Sequence, residues 1–101
     1  MKILEGKFEV IDSFVIRNRN EFYLIGQIKE GIIKENWFVN IPFNKSLSMT
    51  IRISAIEDVE FSSEDANYKL IIVKGDSETL DFLLGLKIES ELLEITVEGQ
   101  D

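Results

Sequence analysis

Any chemistry in this chain has to come from carboxylates, lysines, tyrosines or serines, because its 101 residues include no cysteine and no histidine. That absence removes disulfides, thiolate metal sites, thiol nucleophiles and every imidazole role in proton transfer or metal ligation. Eight serines are present, but no histidine stands ready to take a proton from any of them. Lys45 and Ser46 are neighbours and read as a polar turn rather than a catalytic pair. The acidic run Glu57, Asp58, Glu60, Glu64 and Asp65 offers oxygen ligands of the kind Ca²⁺ or Mg²⁺ takes. It lacks the D-x-[DN]-x-[DN]-G spacing that folds a calcium loop, so it reads as a solvated strand edge. Spacing alone does not test a two-carboxylate hydrolytic pair in a strand-rich chain. The expectation is a noncatalytic protein with no cofactor and no metal.

The elements that would position these groups are strands. Phe8, Val10, Phe14 and Ile16 alternate with Lys7, Glu9, Ser13 and Arg17, the period of a half-buried strand. Asp12 falls on the apolar parity of that strand, where a bare carboxylate would be costly. It is either hydrogen-bonded inside or turned out by a bulge. Residues 17–21, RNRNE, read as a tight turn, since Asn tolerates positive φ. Phe22, Leu24 and Ile28 mark the inward side of the next strand, and Trp37, Val39 and Ile41 that of a third, which ends near the single proline, Pro42. In MTIRISAIEDVEF the apolar parity changes near Ala55–Ile56, so a bulge is expected there. KLIIVK is apolar on both faces and reads as a central strand. DSETLDFLLG is either a helix capped by Asp76 and closed by Gly85, with Leu80, Leu83 and Leu84 on one face, or an irregular loop with a single turn. LKIE and LLEITVE read as closing strands. About seven short strands and little helix make one all-β domain over residues 1–101, a small barrel or sandwich.

Net charge is −8, and it is unevenly placed. Residues 1–52 hold eight Lys/Arg and six Asp/Glu, whereas residues 53–101 hold three and thirteen. An acidic chain repels nucleic-acid phosphates at long range, which argues against broad nonspecific binding. The first ten residues have no apolar core of a signal peptide, and no apolar run reaches the ~20 residues of a membrane-spanning helix. A cytoplasmic protein with no membrane contact is therefore the expectation.

Residues 26–41, GQIKEGIIKENWFVNI, align without a gap to a pattern G-x-I-x-x-G-x-[IV]-K-x-G-D-x-[VI]-x-[IV] through Gly26, Ile28, Gly31, Ile33, Lys34, Val39 and Ile41. Asn36 and Trp37 occupy the Gly-Asp turn of that pattern. Asp12-Ser13-Phe14 followed by Ile16, the Asn18-Arg19-Asn20 turn, Ile56-Glu57, Leu70 to Gly75, and Gly85 with Ile88 continue it in order. In this the chain resembles the second-domain β-barrel of elongation factor Tu and related translational GTPases, over roughly residues 8–90. The resemblance implies a small closed antiparallel barrel of that type, free-standing, with at most one short helix. The G-x-x-x-x-G-K-[ST] loop is absent, so no nucleotide is expected to bind. The family's barrel also helps hold the aminoacyl end of charged tRNA. Of that pocket Asp12 and Phe14 match, whereas Ile11, Val59 and Ala66-Asn67-Tyr68 stand where the family has other groups. Phe14 otherwise reads as plain core.

Ile11, Val15, Tyr23, Ile25 and Phe38 fall on the outer parity of the first three strands. Either they form a contact surface for a protein partner or a second copy, or other elements cover them as a thicker core. The leading expectation is a binding module that takes a protein or self-associates. A second is an RNA- or ribosome-contacting factor using Arg17, Arg19, Lys29 and Lys34 around the first hairpin. A third is an acidic inhibitor that neutralises a basic enzyme through residues 57–65 and 89–101.

Overall fold

A computed structural model describes residues 4–42, 47–59, 68–88 and 90–98. Among these residues there are six strands: β1 (Leu4–Ile16), β2 (Glu21–Gly31), β3 (Phe38–Pro42), β4 (Ser48–Val59), β5 (Tyr68–Lys74) and β6 (Glu91–Thr96). One helix, α1 (Ser77–Gly85), lies between β5 and β6. Every pairing is antiparallel, and the sheet closes in the order β1-β2-β5-β4-β3-β6 with β6 returning to β1. Of the two architectures that the period-two patterning allows, barrel or sandwich, this is the small closed barrel. No helix among the described residues is long and apolar enough to cross a membrane.

The inward side chains form one core. Phe8, Val10, Phe22, Leu24, Val39, Ile41, Ile53, Ile71, Val73 and Ile95 are fully buried in it. α1 closes one end by adding Leu80 and Leu83, and Ile88 follows from the turn after it. Asp76 caps α1, its carboxylate accepting the Thr79 backbone N–H at 2.9 Å. At the other end of the helix the expected Gly85 stop is not used. Gly85 is still helical, and the left-handed residue is Lys87, with φ of 50°. Lys87 and Ser90 (φ 53°) leave the extended region on both sides of Ile88, which is why residues 86–88 of LKIE are not strand. Leu84 is exposed and does not share the buried face of Leu80 and Leu83.

Turn residues fall where their chemistry suits them. Asn20, at the end of the 3-10 turn Arg17–Arg19, has φ of 55°, and Asn36 has φ of 71°. Both enter the left-handed region that Asn tolerates better than most side chains. Asn36 donates its N–H to Ile53 O at 2.8 Å, tying the β2–β3 connection to β4. The bulge expected in β4 is present between Ile53 and Ala55, and it puts Ile56 back against the core. A buried polar pair pins β3 to β6: Asn40 Nδ2 donates to Thr96 Oγ1 at 3.0 Å and to Glu94 O at 3.2 Å.

Candidate interaction face

The decisive local feature is a second bulge, in β1. Val10 pairs with Gly26 and Asp12 pairs with Ile25, so Ile11 is the extra residue. One inserted residue reverses the parity of everything after it. Ser13 and Val15 therefore turn inward, opposite Leu24 and Phe22, and Val15 packs against the core. Ser13 Oγ donates to Ile88 O at 2.6 Å, fastening β1 to the segment after α1. Asp12 and Phe14 turn outward. Of the two possibilities for Asp12, the bulge is the one realised: the residue is exposed, and its carboxylate accepts the Ser13 N–H at 2.8 Å.

Phe14 is thus not core, the reverse of what unbroken alternation implies. It is 41% exposed and stacks on Tyr23, with ring centroids 5.0 Å apart. Ile11 is 45% exposed on the same strand. Register carries this surface across the barrel. One outer row runs Phe14, Tyr23, Ile72 and Ala55, and the next runs Asp12, Ile25, Leu70 and Glu57.

Three members of the expected outer set are not freely exposed. Val15 has gone inward for the reason just given. Tyr23 is buried, its ring lying against Phe14 and its hydroxyl donating to Glu21 Oε1 at 2.6 Å. That hydrogen bond to Glu21 raises the phenol pKa, while Arg19 beside it acts in the opposite sense. Phe38 is buried too: its cross-strand neighbour Arg52 places its guanidinium 4.6 Å from the ring centroid. Ile25 is half-buried. Parity gave the side of the sheet correctly for Tyr23, Phe38 and Ile25, and wrongly for Val15, but it does not show what neighbouring side chains lie across them. Phe14 is the member that parity missed, and Asp12 on the apolar parity is the one residue type that signals a bulge beside it.

The four cations read as an RNA contact do not form a cluster. Arg17 and Arg19 sit at the turn end of the β1–β2 hairpin, whereas Lys29 lies near the far end of β2 and Lys34 beyond it. Arg17 is paired with Asp81 of α1 at 2.7 Å, Arg19 with Glu21 at 4.0 Å and Lys29 with Glu9 at 3.6 Å. Lys34 stands 5.7 Å from the Trp37 ring centroid. Such exposed pairs contribute little to stability, but each lowers the field available to a phosphate.

Two residues of the acidic run lie among the described residues. Glu57 is in the outer row beside Leu70, and Asp58 is paired with Lys69. Glu60, Glu64 and Asp65 lie outside the described residues, as do Lys45, Ser46, Ala66 and Asn67. Among the described residues no group of three or more Asp or Glu could hold a metal ion. Two open grooves mark the wall. One, about 370 Å³, lies where β4 diverges from the β5–α1 turn and is lined by Met49, Ile51, Arg52, Lys74 and Thr79 among others. The other, about 240 Å³, is lined by Lys7, Pro42, Leu92 and Glu94 among others. Neither brings two carboxylates together among its described residues. Comparison with protein-family profiles, with curated proteins and with solved structures returned no match for this chain.

Proposed function

We propose that this protein is a noncatalytic binding module, a barrel of the translation-factor second-domain type that docks a protein on the outer face of β1 and β2. The observation that carries the reading is the β1 bulge, which leaves Ile11 and Phe14 at 45% and 41% exposure on one face of one strand. Large apolar side chains held half-open on one face of a strand are a common signature of an interface. The barrel type is supported by the ordered likeness of residues 8–90 together with the closed sheet, and by Gly26, Gly31 and Asn36 falling at close approaches and turns. Those matched residues serve the barrel's geometry. The family's tRNA-end pocket is not carried over with them.

The magnitudes set what such a face can do. Full burial of a large apolar side chain is worth ~1.5–3 kcal/mol, so covering the open part of Ile11 and Phe14 yields about 1 kcal/mol each. Association costs at least ~4 kcal/mol. The contact must therefore extend over Ile25 and Leu70 and include polar groups.

A photo-crosslinking residue in place of Ile11, with Glu78 on α1 as the control position, tests the reading. Protein adducts should form at position 11 only, survive nuclease treatment and disappear when Phe14→Ser is added. Adducts that are nucleic acid would replace this reading with RNA contact. Equal labelling at both positions would leave no docking face.

A further inference from the structure

We infer that the partner docking on this face is basic, and that it seats a lysine or arginine against Asp12 between two apolar groups. The inference rests on the docking-face reading above and adds the chemistry of the occupant. Its ground is the order of side chains along the bulged strand. Ile11, Asp12 and Phe14 are all exposed, so a carboxylate stands between two open apolar side chains. The Asp12 carboxylate accepts the neighbouring Ser13 N–H and makes no ion pair among the described residues.

The other charges on this face are accounted for. Arg19 is held by Glu21 and feels Glu57 as well, and Lys74 is the cross-strand neighbour of Glu21. These groups offset one another at the turn end, which leaves Asp12 as an open charge beside the apolar pair among the described residues. The chain as a whole carries −8 and attracts cations at long range.

A second copy is the wrong occupant. A two-fold interface sets the same patch against itself, so it supplies no cation for Asp12 beyond the Arg19 and Lys74 already held beside Glu21, and it joins two bodies of charge −8. Like charges brought together in a contact that excludes water oppose association.

The test uses the full chain, isotope-labelled, and three peptide probes. These are an amphipathic peptide alternating lysine with leucine and phenylalanine, its glutamate counterpart, and oligolysine of equal length. The lysine–apolar peptide should shift the amides of Ile11 to Phe14, Ile25 and Leu70. It should bind at least tenfold more tightly than the other two, and weaken about tenfold as salt rises from about 0.05 to 0.5 M. Asp12→Asn should cost about fivefold, Asp12→Lys should abolish binding, and Phe14→Ser should cost about tenfold. Binding that depends on Phe14 but is indifferent to Asp12→Lys overturns the basic-partner inference and leaves the docking face standing. Oligolysine binding as tightly as the apolar peptide, or shifts centred on β6, sinks both. Sedimentation showing a Phe14-dependent dimer of the free chain makes a second copy the occupant and overturns the inference.

Discussion

Adding one methyl group at Gly26 should damage this barrel more than most single core truncations. In Gly26→Ala the new Cβ would lie 1.9 Å from the carbonyl oxygen of Glu9, 2.8 Å from its carbon and 3.0 Å from Val10 Cα. All three are backbone atoms of β1, so no rotamer change relieves the contact. Gly26 is the partner of Val10 at the last regular pair before the bulge. Relief therefore means separating β1 from β2 by well over an ångström, just where Val10 and Leu24 are fully buried. Overpacking ordinarily costs ~1–3 kcal/mol, and a backbone obstacle places this case at about 3 kcal/mol or more. Against a total of roughly 5–15 kcal/mol for a domain this size, much of the stability is lost. The midpoint of thermal unfolding should fall by roughly 12–24 °C, at about 4–8 °C per kcal/mol. Circular dichroism during heating and in urea reads the effect. Gly85→Ala is the matched control, because nothing lies within 4 Å of its added Cβ. At a helical position it should gain up to ~1 kcal/mol from propensity. If the two alanine variants unfold within about 0.5 kcal/mol of each other, the strand approach argued here is wrong.

Three further expectations concern single side chains. Asp12→Ala should change stability by no more than about 0.5 kcal/mol, as for an exposed site, and a larger loss in urea titration would put the carboxylate inside after all. Asn36 holds φ of 71°, so Asn36→Val should cost roughly 1–2 kcal/mol while Asn36→Gly costs nothing measurable, both by chemical denaturation. The Asp76 carboxyl is held below the ordinary aspartate pKa, chiefly by the Thr79 backbone N–H it accepts. A lowered folded-state pKa stabilises fully above the unfolded value of about 4 and is lost as pH falls through the folded value. Asp76→Asn also caps a helix but does not titrate, so its stability curve should run parallel to wild type near pH 7 and lose less on acidification. Identical acid limbs would remove the cap's role.

What the sequence showed and hid follows from how strands encode orientation. The β4 bulge was legible because Ile53 and Ile56 lie an odd number of residues apart, which no regular strand can bury on one side. The β1 bulge was half legible: Asp12 on the apolar parity allowed for it, but Phe8, Val10, Phe14 and Ile16 alternate correctly without one. The extra residue at Ile11 puts Phe14 on the outside against its own pattern. α1 was half legible: Asp76 is a recognisable cap, but that the left-handed turn after the helix falls on Lys87 rather than on Gly85 leaves no mark in residue type. The burial of Tyr23 and Phe38 depends on a stacked ring and an overlying guanidinium from neighbouring strands, which exist only once register is fixed.

Barrel closure also sets a sequence of events in time. The β1–β2, β3–β4 and β4–β5 ladders join strands adjacent in the chain, whereas the ladder that completes the ring pairs Leu4 with Thr96 and Phe8 with Leu93. Bringing such distant segments together costs loop entropy before any contact repays it. Hairpins can therefore form early, but the seam must close last. Chains dominated by such distant pairings fold in milliseconds to seconds rather than microseconds. The same asymmetry runs in reverse. β6, six residues long, is the strand whose release reopens the ring without disturbing any hairpin. Its amides should be the first of the barrel to exchange with solvent, and the exposed edges of β1 and β3 that it leaves behind are where an aggregate would begin.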